Sequence, residues 1–235
     1  MLKRIAIGLA VVLVISTLSV LLYSNDTFSS VVWKSVSSKN IKEKAPTVII
    51  DAGHGGFDGG AVASDGTVEK DLNLEIALKL DAVLRVMGYN TVLTRNADLS
   101  MEDEDVSGSK KVSDMKNRLK LMQKYPDAVF VSIHMNKYST SQPNGTQVFY
   151  GVTDGSEELA KAIQTAVKEE LQPQNYRVVK KTTKDIYLLY HSVVPAVIVE
   201  CGFLSNGGDL KKLKSQEYQK AISWAIAEGV MNYCG

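Results

Sequence analysis

The chain has 235 residues and is 45% hydrophobic and 23% charged, enough apolar content for a real core and a length that fits one globular domain. Its formal charge is +1; setting aside the first 24 residues, which hold Lys3 and Arg4 and no acid, leaves 25 basic against 26 acidic residues, a balance of −1. That balance removes any bulk electrostatic ground for a nucleic-acid partner.

Ile5 to Tyr23 is an uninterrupted run of 19 apolar or small residues behind Lys3 and Arg4, long enough as a helix to cross about 30 Å of hydrocarbon. The basic flank keeps its N-terminal end in the cytoplasm and sends the rest of the chain across. No clear A-x-A-type site lies near Ser24, which favours an uncleaved anchor over a removed signal peptide. Residues 1–24 are thus expected to be a membrane anchor or signal segment, and 25–45, polar and rich in Ser and Lys, a tether. A globular domain is expected over 46–235.

The domain opens with Val48 to Ala61, VIIDAGHGGFDGGA. A short apolar strand breaks there into a glycine-rich loop that carries Asp51, His54 and Asp58. Glycines allow left-handed backbone and close approach, so His54 is placed to be presented rather than packed. Strands are expected at Val48 to Asp51, Asn90 to Thr94, Ala128 to His134, Thr146 to Tyr150 and Val197 to Glu200. Helices are expected at about Glu69 to Met87, Ser113 to Lys124, Ser156 to Leu171 and Ser215 to Tyr233. In the last, Tyr218, Ile222, Ala225, Ile226, Gly229 and Tyr233 recur at helical spacing and should face the sheet. Alternation of short β-rich runs with longer helices predicts an α/β fold, a single three-layer domain with a mostly parallel twisted sheet flanked by helices. The acidic stretch between Ala97 and Ser113 reads as a solvated surface loop, with a flap or a docking surface as the functional alternative. Cys201 and Cys234 could pair in an exported protein, or stay as two free thiols.

Four ionisable residues interrupt apolar patterns. Glu69 lies on the stripe that continues through Leu72, Ile76 and Leu80, although an acid in a first turn also suits the helix dipole. In VFVSIHMN, alternation places Ser132 and His134 on one face, with His134 at the carboxyl end. In AVIVECGF, Glu200 shares a face with Ile198 while Cys201 points away. With His54, these groups come from strand ends and the segments just after them, where open α/β sheets place their sites. Two imidazoles and a carboxylate match a catalytic zinc, which takes three protein ligands, and a further glutamate can serve as base. The separations, 15 residues from His54 to Glu69 and 65 more to His134, exclude a compact H-E-x-x-H helix.

IDAGHGG, VEKDLNLEIA, SIHMN and PAVIVECGFLSN, in this order, resemble the zinc-dependent N-acetylmuramoyl-L-alanine amidases of the Amidase_3 type. The resemblance runs from Val48 nearly to the C-terminus. It implies that His54, Glu69 and His134 bind Zn2+ and that Glu200 is the catalytic glutamate. The sequence departs at Lys137, where the family commonly has a small residue after the asparagine. A single catalytic domain behind an N-terminal segment is similar to the spore-cortex amidases, whose role is to strip the peptide from muramic acid ahead of muramic-δ-lactam formation.

The implied reaction is cleavage of the amide between N-acetylmuramic acid and L-alanine in peptidoglycan, with Asp51 orienting His54 through its other ring nitrogen. His191, the third histidine of the chain, is expected at the rim or in packing, because a fourth protein ligand would close the position water needs. Two other readings stay open: a zinc peptidase acting on the stem peptide, and an inactive wall-binding or regulatory module. An accessory or activating protein and the membrane are the expected partners besides the substrate. The expected location is extracytoplasmic and membrane-anchored, in a spore former the forespore envelope or cortex.

Overall fold

The computed structural model describes residues 47–105 and 107–235; the expected membrane segment and tether lie outside them. Among the described residues, no helix is long and apolar enough to cross a membrane.

Six strands, β1 (Val48–Ala52), β2 (Thr91–Leu93), β3 (Val129–Asn136), β4 (Gln147–Tyr150), β5 (Lys180–Lys181) and β6 (Ala196–Phe203), form one sheet in the order β2-β1-β3-β6-β4-β5. The first four in that order run parallel. β4 is antiparallel to β6, and β5 runs parallel to β4. The helices are α1 (Glu69–Val86), α2 (Lys110–Lys124), α3 (Ser156–Glu170), α4 (Tyr187–Tyr190), α5 (Gly207–Leu213) and α6 (Gln216–Cys234). The result is the expected three-layer α/β domain, its mostly parallel sheet made mixed by β4.

The two faces of the sheet are unequal. Val48, Ile50, Val129, Val131, Ile133, Val197 and Val199 enter a large core with residues of α1, α3 and α6. α6 packs on α3 so closely that a Cβ on Gly229 would run into the Ile163 backbone. On the other face Ile49, Phe130 and Ile198 meet Met122 of α2 and Leu188 and Leu189 of α4. Toward the carboxyl ends this second face turns polar. Register pairs Asp51 with Ser132 and His134 with Glu200, so the period of two that buries Phe130 and Ile198 also carries all four polar groups to the same side. The chain leaves β1 for β2 on one flank and returns to β3 on the other, a switch point of the kind where α/β sheets open a crevice.

Three elements carry no sequence periodicity. β5 is two exposed lysines on the sheet edge, where charge guards against pairing with another chain. α4 is one turn long. α5 opens on a glycine pair, but the Asn206 side chain caps it by accepting from the amides of Gly208 and Asp209. Helix α2 starts at Lys110 rather than Ser113. Cys201 and Cys234 are both free, Cys201 fully buried.

Candidate active site

β1 ends at Ala52, and the Gly53 amide adds one more rung by donating to the Ile133 carbonyl at 3.1 Å. The chain then turns at His54, which takes φ 61, a left-handed conformation that costs a non-glycine residue on the order of 1–3 kcal/mol. Its surroundings hold it there. The Arg118 guanidinium donates to the His54 carbonyl at 2.8 Å. Gly55 and Asp58 exchange backbone hydrogen bonds of 2.9 and 3.0 Å, which brings the Asp58 carboxylate to 3.0 Å from His54 Nδ1. Two glycines make room for site side chains. A Cβ on Gly53 would enter the His134 ring, and one on Gly60 would lie 2.6 Å from both Glu69 Oε2 and His54 Cδ2.

Glu69 is the first residue of α1 and only 4% exposed. Its carboxylate turns inward instead of capping the helix: Oε2 accepts the Ala61 amide at 2.8 Å and Oε1 the Met135 amide at 3.1 Å. Oε1 also faces His134 Nδ1 at 3.0 Å and His54 Nε2 at 3.3 Å. Burial works to raise the Glu69 pKa, but the two imidazoles hold the carboxyl well below the usual range. For His54, burial works downward and is outweighed by Glu69 and Asp58, so its pKa is raised. Asp58 is brought down to about 2, the hydrogen bond from His54 overcoming its partial burial.

His134 and Glu200 stand side by side on β3 and β6. The Glu200 atom Oε2 is buried without a hydrogen-bond partner, and burial pushes this carboxyl up to about 7. Just beyond, the β3–β6 register slips between His134 and Asn136, an irregularity of the kind that re-aims side chains at sites.

Beneath the cluster lies a buried ionic layer. Arg118, with no exposed surface, pairs with Asp51 and with Asp114. Asp51 also accepts hydrogen bonds from Thr94 and Ser132. Burial would raise its pKa, but Arg118 first, then Ser132, hold it down. Arg95 donates to the carbonyls of Ala52, Gly53, Ala97 and Lys70, and Asn73 donates to the Gly53 carbonyl at 3.0 Å. The expectation that Asp51 orients the His54 ring is therefore corrected. Asp51 still belongs to β1, so its side chain stands under the sheet on Arg118, and Asp58 meets the ring. Sequence reasoning also missed Arg118, Arg95 and Asn73. For Arg118 a signal existed: Asp114, Arg118 and Met122 recur at helical spacing, a charged pair on a buried stripe.

His54, Glu69 and His134 offer ligand atoms that all lie within 4.8 Å of one another. The donor set suits zinc, and the two imidazole–carboxylate separations, 3.0 and 3.3 Å, are close to the roughly 3.3 Å between neighbouring donors that four-coordinate zinc bonds of 2.0–2.1 Å imply. Two depressed carboxylates and one imidazole with raised affinity for a proton mark a spot that favours positive charge, which a divalent cation would supply. His191 stands outside this cluster, exposed and packed against Tyr187 and Tyr190. The acidic loop is not loose: Asp98 accepts from Lys70 and from the Gly56 amide, and Asp103 from Ser113 and Asn117. Lys137 reaches back to the Val62 carbonyl at 2.9 Å. A cleft of ≈ 250 Å³ leads from His54 and His134 between α2 and the segment from Asp185 to Leu188.

Residues 48–232 match the N-acetylmuramoyl-L-alanine amidase family. The germination-specific N-acetylmuramoyl-L-alanine amidase of Bacillus subtilis is 32% identical over 189 residues, covering 79% of this chain and 78% of its own. Among solved structures, the CwlD amidase of Clostridioides difficile, in complex with the GerS lipoprotein, superposes with a TM-score of 0.76 at 41% identity, over 80% of this chain and 98% of that one. The amidase AmiC2 of Nostoc punctiforme gives 0.70 at 31% identity, over 81% and 98%.

Proposed function

The chain belongs to the N-acetylmuramoyl-L-alanine amidases of the Amidase_3 family, and from that premise we propose that it cleaves its amide with a zinc ion held by His54, Glu69 and His134 and with Glu200 as the catalytic acid and base. Family membership selects the peptidoglycan amidase over a stem peptidase or an inactive module. The observation that carries the proposal is the convergence of three ligand atoms from a loop, a helix and a strand within 4.8 Å, with Glu200 beside His134 in register.

Zinc in such a site acts as a Lewis acid toward a carbonyl oxygen and makes water acidic near neutral pH. The protein's part is proton transfer and placement. Glu200 takes a proton from the attacking water and returns it to the departing L-alanine amine, both duties of one carboxyl whose unpartnered Oε2 is free to receive. Its raised pKa suits work near neutrality, and the charge of a bound zinc would draw that value down. Asp58 fixes the tautomer of His54 by accepting a hydrogen bond from Nδ1–H, which leaves Nε2 for the metal. Glu69 is ionised, and the raised pKa of His54 favours a proton that a metal would have to displace, so zinc binding below that pKa should release a proton.

The same reading assigns the protein to spore-cortex maturation, where loss of the peptide precedes muramic-δ-lactam formation. The similarity to a germination-specific amidase and to CwlD supports this. It further assigns residues 1–24 to a membrane anchor or signal segment, 25–45 to a tether and 46–235 to the catalytic domain, with the enzyme extracytoplasmic. An accessory protein that aids placement or activation is part of the proposal, supported by the lipoprotein complex of the similar CwlD structure. The test is to digest cortex peptidoglycan with the purified protein, alone and with candidate partners, while measuring its zinc content. New L-alanine amino termini and unsubstituted muramic acid are expected in proportion to bound zinc; turnover by a protein that holds no zinc would overturn the metal assignment.

A further inference from the structure

The zinc cluster and Glu200 account for the scissile amide but not for what grips the peptide beyond it. The cleft leading away from His54 and His134 has apolar walls in Met115, Ile186, Leu188 and Ile198, and two cations among its lining residues, Arg118 and Lys111. Arg118 is spent on Asp51, Asp114 and the carbonyls of Ala52 and His54. Lys111 is different. Its side chain is 60% exposed, and its ammonium sits 3.2 Å from Asp58 Oδ2; an ammonium has three N–H donors, so two remain for a ligand. Asp58 Oδ2 is also 3.0 Å from His54 Nδ1. Lys111 therefore stands within the ~7 Å that two residues of extended chain span from the His54 ring.

Helix stability does not explain the lysine. Lys110 and Lys111 open α2, whose first turn carries no acid, and cations there are opposed by the helix dipole.

We propose that Lys111 is a specificity-determining residue that binds a free carboxylate on the second residue of the stem peptide, the one that follows L-alanine. This rests on the amidase reading, which puts the scissile amide at the zinc cluster and directs the leaving peptide along the cleft. Asp58 then has two roles through one oxygen, Oδ2: it steadies the His54 ring and holds the lysine over the cleft until substrate arrives. Met115 and Ile186 give the intervening L-alanine methyl an apolar wall.

The test uses two disaccharide-tripeptide fragments of peptidoglycan, in which the γ-carboxyl of the second residue is tied into the bond to the third, so that they differ only in a free α-carboxylate (D-isoglutamate) or a neutral α-amide (D-isoglutamine) on that second residue. Zinc-loaded wild-type protein should cleave the carboxylate form with a kcat/KM about tenfold higher, the scale of one charge-assisted hydrogen bond in a partly exposed setting. Lys111→Met should bring the ratio between the two fragments to about one, and Lys111→Arg should keep the preference. A binding measurement in the Glu200→Gln background reads the same contrast without turnover, and adding Lys111→Met should erase it. Equal kcat/KM for the two fragments in the wild type, or an unchanged ratio in Lys111→Met, overturns the proposal. Cleavage without preference sinks Lys111 alone, whereas zinc-loaded protein that frees no L-alanine amino terminus from either fragment sinks the amidase reading and this inference with it.

Discussion

His134 and Glu200 reach the site from adjacent strands in register, whereas His54 reaches it from a glycine loop with its own backbone at φ 61. The strand arm needs little support: a ladder of backbone hydrogen bonds and the apolar residues between the polar ones fix where each side chain points. The loop arm is held by tertiary contacts. Arg118 and Arg95 clamp its carbonyls, Asp58 holds the ring, and Gly53 and Gly60 leave the space that His134 and Glu69 fill. A side chain on a strand inherits its position from the sheet, and one on a loop must be given it by residues far away in the chain.

This contrast predicts different failures for the two arms. On the strand arm, Glu200→Gln keeps the shape and removes the proton acceptor. Turnover should fall by at least the roughly 10²–10⁴-fold typical of a lost acid or base, while zinc content and melting temperature stay near wild type. A Gln variant with full activity would remove Glu200 from the mechanism. On the loop arm, Arg118→Met leaves Asp51 buried without its cation and the His54 carbonyl without its donor. Breaking one partner of a buried pair costs about 3–5 kcal/mol, so a denaturant midpoint far below wild type is expected, with zinc lost in step. Adding Asp51→Asn should recover part of that stability; if it recovers none, the pair is not what Arg118 supports.

The same contrast explains what could be read in advance. VFVSIHMN and AVIVECGF declare the faces of His134 and Glu200 because the strand period is local, and Glu69 stood out as an acid on an apolar stripe. The layers and four of the six helices followed from periodicity of the same kind. Arg118 did not stand out as part of the site, since its partners Asp51 and the His54 carbonyl lie 67 and 64 residues away. Asp51 is near His54 in sequence but not in contact with its ring, because β1 turns its side chain under the sheet onto Arg118. Asp58 lies further along the chain but returns to the ring through the Gly55–Asp58 bridge. α4 and β5 are too short to show any period.

A smaller effect isolates the ring contact from the clamp. Asp58→Asn keeps a carbonyl oxygen near His54 Nδ1 but removes the charge, and loss of such an outer partner commonly lowers metal affinity by about 10–100-fold. Stability without metal should fall by less than in Arg118→Met, since Asp58 is partly exposed. Competition with a zinc chelator reads the difference directly. Wild-type zinc affinity in this variant would mean that the loop is set by Arg118 and Arg95 alone.

Changing pH is the gentlest perturbation, because it removes no atom. Asp51, Asp58 and Glu69 all have folded pKa values below their ordinary ones, so the stability they contribute is present above about pH 4, the ordinary carboxylate range, and is lost as pH falls through the depressed values. His54 has the opposite sign: its pKa is raised, so its contribution is complete below its ordinary value of about 6.5 and fades as pH climbs through the folded one. Glu200, raised to about 7 by burial, shares the sign of His54 and works against the folded state from its ordinary carboxylate value upward, so the zinc-free protein should be most stable at about pH 4–5 and lose stability above it. In the proposed site zinc would replace the proton on His54 and hold the ring neutral as a ligand, so the loaded protein should keep its stability to higher pH. Melting curves across this range, with zinc and with a chelator, should part company on the alkaline side; curves that stay parallel there would show that His54 does not exchange its proton for the metal, and would separate the loop arm from the zinc site.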